Sequence, residues 1–348
     1  MSRLLEEIAE QPDVLKQVAD NFRERSTDLE KLVHKISSDT YTNIILTGMG
    51  ASYHSCYGLW LKLSNLGVPI SLWDTSELIN FAPNTIRKST LIIAVSQSGE
   101  SAEIRKLVSL TEKPGVLVGI TNSDDNCLAR KADILLDLSA GCETSVSSKT
   151  YLASLAILHL LGCKIEGKND VDGETELMLI AENIRSNLLD QAAKAEEVVN
   201  FISSANQVTL LGRGYSLASA NYGALILEEA AKLPAIGISA AQFRHGPLEI
   251  VNENFHAIIL GGSKEIWQMN LRLVNDITSL GGKVVVISSE KQRSATRSYN
   301  LCTIPFAKDE LLPMIEILPL QQLVIAFANA KGIEAGVFSN SGKVTYLE

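Results

Sequence analysis

Short, wholly apolar runs alternate along this chain with longer stretches of helical period. Leu91-Ile92-Ile93-Ala94-Val95 has no polar position, the pattern of a strand buried on both faces rather than one with a face in water. It passes into Ser96-Gln97-Ser98-Gly99-Glu100-Ser101 and then into Ala102-Glu103-Ile104, which reads as the opening of a helix. Ile134 to Leu138 is the next strand-like segment, followed by Ser139-Ala140-Gly141, the polar run Glu143-Thr144-Ser145-Val146-Ser147-Ser148-Lys149 and a helix-period stretch from Tyr151 to Leu161. Apolar strands separated by helices predict parallel sheets covered on both faces.

The pattern occurs twice. Ile44-Ile45-Leu46-Thr47-Gly48-Met49-Gly50-Ala51-Ser52 is matched by Val208-Thr209-Leu210-Leu211-Gly212-Arg213-Gly214-Tyr215-Ser216, each a strand, a G-x-G-x-S turn and a helical pattern. Leu91 to Ser98 is echoed by Ala257 to Ser263, and Gly115 to Ile120 by Lys283 to Ile287, in the same order. The expected architecture is therefore α/β, with two tandem doubly wound parallel-sheet domains of three αβα layers. Residues 1–36 are expected to form a leading helical segment, with Gln11-Pro12 as punctuation. The first domain is expected at 37–172, a helical connection at 173–203 after the polar stretch Glu166 to Gly173, the second domain at 204–335, and a tail at 336–348.

A strand that delivers hydroxyls, a glycine and backbone N–H groups to a helix N-terminus can receive a phosphate dianion. An ordinary capped turn would use the same residues, since serine caps helices and an acid supports a first turn. Three serine-bearing strand ends in one predicted sheet, at Ser52, Ser96 to Ser101 and Glu143 to Lys149, shift the reading toward a small phosphorylated ligand. They fall at the carboxyl edge, where open parallel sheets bind ligands. No G-x-x-x-x-G-K-[ST] loop points to a nucleotide, and the G-x-G-x-S turns lack the third glycine and distal acid of a dinucleotide fingerprint.

Composition narrows the picture. The 348 residues are 46% hydrophobic and 20% charged, which excludes a disordered chain and allows two domains. The net charge of -9 is not gathered in a tail, and no basic patch interleaved with aromatics appears, so no nucleic acid partner is expected. The five cysteines, Cys56, Cys127, Cys142, Cys163 and Cys302, are scattered mostly among apolar or small residues, as buried thiols of a reducing compartment are. The five histidines show no H-E-x-x-H spacing, so no metal is inferred and His159 reads as a core histidine. The N-terminus lacks the apolar core of a signal peptide and no apolar run reaches about 18 residues, which points to the cytoplasm and away from a membrane.

With these motifs the chain resembles the sugar isomerase (SIS) family, specifically the two-domain isomerase half of glucosamine-6-phosphate synthase and its stand-alone relatives. The resemblance rests on Glu7 to Pro12, Gly48 to His54, Ser96 to Ser101, Glu143 to Lys149, Leu211 to Tyr215, Arg244-His245-Gly246-Pro247-Leu248-Glu249 and Gly342-Lys343-Val344-Thr345. It implies that Ser52, Ser96, Gln97, Ser98 and Ser101 form the phosphate shell and that Ser147 lies near the sugar hydroxyls. It implies that Glu229 moves a proton between C1 and C2, that His245 opens the sugar ring from the neighbouring subunit of a homodimer, and that Lys343 forms an imine with an open-chain ketose. The tail is expected over the active site, and no cofactor is implied.

The chemistry agrees with those residue types. A carboxylate suits C1/C2 proton transfer, histidine titrates near neutrality for ring opening, and lysine is the natural imine former. Plainer roles use the same residues: Glu229 as a solvated helix residue beside Glu228, His245 as a turn residue, Lys343 as a tail charge. Several positions depart from the family. Ile226 stands where the synthase has a helical lysine, Ala51 replaces a threonine, Gln242 replaces a frequent acid, and the Glu143 loop is one residue shorter. With no glutaminase segment in view, the chain is expected not to make its own ammonia. The leading expectation is an isomerase or deaminase converting glucosamine 6-phosphate to fructose 6-phosphate and ammonia. The alternatives are a fructosamine-6-phosphate deglycase and a non-catalytic sugar-phosphate sensor.

Overall fold

The computed structural model describes residues 2–38, 40–110, 113–290, 299–340 and 342–346. Three helices come first: α1 (Arg3–Ala9), α2 (Gln11–Glu24) and α3 (Ser26–Ser37). The first repeat is β1 (Asn43–Gly48), α4 (Gly50–Leu63), β2 (Ile70–Asp74), α5 (Thr75–Phe81), β3 (Thr90–Val95), α6 (Ala102–Ser109), β4 (Val116–Thr121), α7 (Cys127–Lys131), β5 (Ile134–Asp137) and α8 (Lys149–Ile165). A single helix, α9 (Asp170–Phe201), follows it. The second repeat is β6 (Val208–Gly212), α10 (Ser216–Ala231), β7 (Ala235–Ser239), α11 (Ala240–Phe243), β8 (His256–Leu260), α12 (Lys264–Ser279), β9 (Lys283–Ser288), β10 (Tyr299–Thr303) and α13 (Leu312–Ala330).

The chain divides into two compact units. One is Glu10–Ala181 with Ser339–Glu348, and the other is Met1–Ala9 with Glu182–Phe338. Each holds a five-stranded parallel sheet, ordered β2-β1-β3-β4-β5 in the first and β10-β9-β8-β6-β7 in the second. Taken in chain order the two are the same topology, so the repeated strand and turn pattern is one α/β fold used twice. The strand order reverses between β1 and β3, and again between β6 and β8, which opens a crevice outside the carboxyl ends of those strands.

Burial explains the apolar runs. Every residue of β3 and β4 is buried, because a parallel strand inside a doubly wound sheet has helices over both faces. One face of the first sheet places Ile45, Ile92, Ala94 and Leu117 against Leu78, Ile79, Ile104, Leu107 and Leu128 of α5, α6 and α7. The alternate residues Ile44, Leu46, Leu91, Ile93 and Val118 are also buried, as the two-residue side-chain period of a strand requires. In the second unit Leu211, Ala257, Ile259, Val284 and Val286 pack with Phe243, Trp267, Leu273 and Ile277.

The helix α8 buries its residues on all sides, and its repeat counterpart α13 does the same from Leu312 to Ala328. The segment Asp309–Ala330 is long and apolar enough to cross a membrane by length and composition, a feature the search for unbroken apolar runs passes over. Its apolar window lies wholly inside the second unit, as a core helix does. Pro12 stands in the first turn of α2, where a missing N–H costs nothing. The cysteine reading needs correction in part. Cys56, Cys163 and Cys302 are buried, but Cys127 is only partly so and Cys142 is exposed on the loop before Glu143.

Candidate functional site

The turn from β1 into α4 is set by close approach. A Cβ on Gly48 would lie 2.9 Å from the Ser52 carbonyl carbon and from the Tyr53 nitrogen, and 3.0 Å from the Val95 carbonyl oxygen. Only glycine lets the ends of β1 and β3 come this close to the helix. Ser52 then falls in the first turn of α4, whose Met49 cap supplies no side-chain acceptor.

In the next strand end, the Ser96 N–H continues the ladder to the Ile120 carbonyl at 2.9 Å. The Ser96 hydroxyl accepts from the Gly99 N–H at 3.1 Å, the Ser98 hydroxyl from the Glu100 N–H at 3.2 Å, and the Ser101 hydroxyl caps α6 through the Ile104 N–H at 3.4 Å. These are the bonds of a capped turn. A hydroxyl that accepts from the backbone still has its own O–H to donate to an anion, so capping and phosphate binding use different parts of the same group. The Gln97 carbonyl accepts from the Asn122 N–H at 3.1 Å, which anchors the loop to the end of β4. Gly99 has φ +62, and a Cβ there would meet the Asn126 side-chain oxygen at 2.1 Å. Asn126 is held in turn by Thr121 at 2.9 Å and caps α7 through the Ala129 N–H.

Glu143 organises the third strand end. Its side chain is fully buried and accepts from the Ser148 N–H at 2.9 Å, the Thr150 N–H at 3.0 Å, and the hydroxyls of Ser148 and Thr150. A carboxylate placed on the first N–H groups of α8 satisfies donors the helix leaves open and complements its positive end. This capping role was not visible in the sequence, because the acid lies five residues before Ser148 instead of at the cap itself. Ser147, next to that cap, is partly buried on the same loop.

The tail joins two of these strand ends. Lys343 Nζ donates to Glu143 Oε2 at 2.7 Å and to the Ser145 carbonyl at 2.6 Å, and two residues later the Thr345 carbonyl accepts from the Ala102 N–H at 3.1 Å. Lys343 therefore touches the β5 to α8 loop while the same tail covers the N-terminus of α6. An amine held by these two acceptors must leave both before it can attack a carbonyl. Lys343→Ala is accordingly expected to lower turnover without abolishing it, and borohydride in the presence of fructose 6-phosphate should trap no adduct. A borohydride-stable mass increase mapped to Lys343, with full loss of activity in the variant, would make the lysine an obligatory nucleophile.

The other two implied residues lie in the second unit, at opposite edges of its sheet. Helix α10 starts at the carboxyl end of β6 and runs back, so Glu229, three residues before its Lys232 cap, is near the edge where β7 begins. His245 follows the other end of β7, exposed beyond α11, with its N–H on the Gln242 carbonyl at 2.9 Å. The five residues of β7 span about 16 Å at 3.3 Å each. Within one chain the structure does not bring Glu229 and His245 together. Glu229 is partly buried, and its carbonyl accepts from Lys232 Nζ at 2.6 Å. Ile226, where the synthase has lysine, is buried at 2% exposure, so the apolar replacement packs into the core.

The second repeat's own G-x-G-x-S turn is built differently. Ser216, the counterpart of Ser52, is fully buried and donates to Glu316 Oε1 at 2.7 Å. When ionised, the acid bonded to Ser216 disfavours an anion at that turn. Burial pushes the Glu316 carboxyl from 4.5 up to about 7. A carboxyl raised on folding costs stability once it ionises. The penalty is absent below 4.5, grows through about 7 and is complete above it, on the order of 3 kcal/mol. The difference in unfolding free energy between Glu316→Gln and the native chain should therefore shift by that amount in favour of the variant from pH 4.5 to pH 8. Denaturant titrations that give a pH-independent difference would remove the buried ionisation.

Residues 40–163 and 201–330 match the family described as SIS domain, one segment for each repeat. The chain belongs to the SIS domain family. Glutamine–fructose-6-phosphate aminotransferase of Pyrococcus horikoshii is 28% identical over 335 residues, covering 94% of this chain and 55% of that protein. The Aquifex aeolicus protein of the same name is 25% identical over 353 residues, covering 99% of this chain and 58% of its own. This SIS protein thus spans just over half the length of these relatives. Among solved structures, the C-terminal domain of glucosamine-fructose-6-phosphate aminotransferase from Francisella tularensis superposes with a TM-score of 0.85 at 22% identity, over 97% of this chain and 98% of that one. Glucosamine-6-phosphate deaminase from Thermotoga maritima superposes with a TM-score of 0.78 at 20% identity, over 99% and 100%.

Proposed function

We propose that this SIS protein is a phosphosugar isomerase or deaminase acting on an amino-sugar phosphate, in the simplest case converting glucosamine 6-phosphate and water to fructose 6-phosphate and ammonia. The observation that carries the reading is the convergence, at one edge of the first sheet, of the Ser96 to Ser101 loop, the Glu143 to Lys149 loop and the tail that bears Lys343. Ser52, Ser96, Gln97, Ser98 and Ser101 would hold the phosphate through hydroxyls and backbone N–H groups, and Ser147 would meet the sugar hydroxyls. His245 would protonate and open the ring, and Glu229 would take the C2 proton and return it at C1. The nitrogen then lies on C2 as an imine, which water hydrolyses to the ketose and ammonia.

An amino-sugar substrate already carries its nitrogen and needs no lysine imine. The Lys343 ammonium would instead sit as a positive charge near the open-chain oxygen. Because Glu229 and His245 lie at opposite edges of their sheet, a complete site would draw its histidine from a second copy, as in a homodimer. Five cysteines without a disulfide suit the reducing cytoplasm.

The test is to incubate the protein with 6-phosphorylated amino sugars and fructosamines and assay ammonia, free amino acid and hexose phosphates. Ammonia with fructose 6-phosphate supports the proposal, and free amino acid released from a fructosamine 6-phosphate would assign a deglycase. Binding of phosphosugars with no turnover of any would assign a sensor. Replacing Ser96 and Ser98 together with alanine removes two hydroxyl donors to a dianion, each such bond contributing roughly 1.5–3 kcal/mol, so KM should rise at least about 100-fold. Equal affinity of the native protein for the unphosphorylated sugar would move the phosphate elsewhere.

A further inference from the structure

On the body of α8, away from the strand ends, His159 and Cys163 stand one helical turn apart on the face that meets α9. His159 Nε2 lies 2.9 Å from Glu176 Oε2 of α9 and 3.6 Å from Cys163 Sγ, and the three atoms are all within 4.8 Å of one another. His159 is 7% exposed and Cys163 3%, whereas the Glu176 side chain keeps 15%. One ring nitrogen is thus flanked by a sulfur and a carboxylate oxygen at the separations that ligands of one tetrahedral ion have. The pair at i and i+4 presents both donors from a rigid helix, and the third comes from a facing element. Spacing rules for two histidines pass over this arrangement, since it uses one histidine, a cysteine and an acid from another helix.

We propose that His159, Cys163 and Glu176 form a transition-metal site, suited first to zinc, that ties α8 to the first turns of α9. Mixed nitrogen, sulfur and oxygen donors fit zinc better than magnesium or calcium, which take oxygen. A divalent ion with a thiolate and a carboxylate has no net charge, so the filled site is compatible with its low-dielectric surroundings. Three protein ligands leave a fourth position for water, on the side where Glu176 is exposed. Binding displaces the thiol proton, so affinity should rise with pH. His159 lies ten residues beyond the start of α8, about 15 Å along its axis, which separates this site from the Glu143 cap. The proposal is independent of the sugar chemistry.

The test uses the full chain, stripped with a chelator and titrated with cobalt(II). One cobalt per chain is expected, with the visible d–d absorption of a tetrahedral ion and a thiolate-to-cobalt charge-transfer band, both lost when zinc is added. Cys163→Ser should remove the charge-transfer band, and His159→Gln should weaken cobalt binding by about 100-fold or more, at least the loss that removing a ligand's own supporting partner causes. Cys142→Ser, at an exposed thiol on another loop, should change nothing. If Cys163→Ser does not fold, Glu176→Gln at its part-exposed position serves instead, with weaker binding and the charge-transfer band kept. No cobalt bound at one equivalent, a band that persists in Cys163→Ser, or cobalt affinity that is not weakened in Glu176→Gln would overturn the site and leave a buried histidine–glutamate pair.

Discussion

Replacing Glu229 with glutamine is expected to leave phosphosugar affinity and thermal stability close to native while slowing proton exchange at C1 and C2 by roughly 10²- to 10⁴-fold, the usual contribution of a positioned acid/base. The substitution keeps the shape of a side chain that is only partly buried near the end of α10, so folding is not at stake. The direct readout is deuterium from solvent entering the sugar carbon, followed by mass spectrometry in parallel with ligand binding. Because a deaminase and an isomerase share the proton transfer, the prediction holds for either reaction. Deuterium incorporation at the native rate would take Glu229 out of the chemistry and return it to the role of a solvated helix residue beside Glu228.

Mixing two inactive chains, His245→Ala and Glu229→Gln, is expected to restore activity. The five-residue strand β7 stands between the two positions, so a site needing both groups cannot take them from one chain in this arrangement. In a twofold dimer that shares its sites, each mixed dimer holds one site with both native groups and one with neither. Random exchange makes half of the dimers mixed, so recovery should approach about a quarter of native activity. Either variant alone should stay near its own floor. No recovery, after native mass spectrometry has shown mixed dimers, would mean that one chain supplies both groups.

The repeated α/β architecture could be read from the chain because its causes are local. Strands buried on both faces are apolar at every position, as in Leu91 to Val95, and the turns that end them need glycine where backbone approaches backbone, as at Gly48 beside Val95. The serine-bearing strand ends were legible for the same reason, since a cap and an anion loop are each built within a few consecutive residues. What the hydroxyls do at rest was not. Their bonds to Gly99, Glu100 and Ile104 depend on the path the loop takes, including the positive φ of Gly99 packed on Asn126.

The amino-acid sequence by itself determined the two parallel-sheet domains, through the repeated pattern, and which turns carry hydroxyls. The tertiary structure decided the pairings between residues far apart in the chain. It put Lys343 on Glu143 across 200 residues and on Ser145 across 198, and Ser216 on Glu316 across 100, so that the two repeats differ beneath their strand ends. It also brought Glu176 to His159 and Cys163, and it set Glu229 and His245 at opposite ends of one strand. The physical reason is the same in each case. Helix and strand patterns record which side of an element is buried, whereas a charge or a ligand atom acts only on what lies within a few ångströms, and that neighbour is chosen when the elements pack.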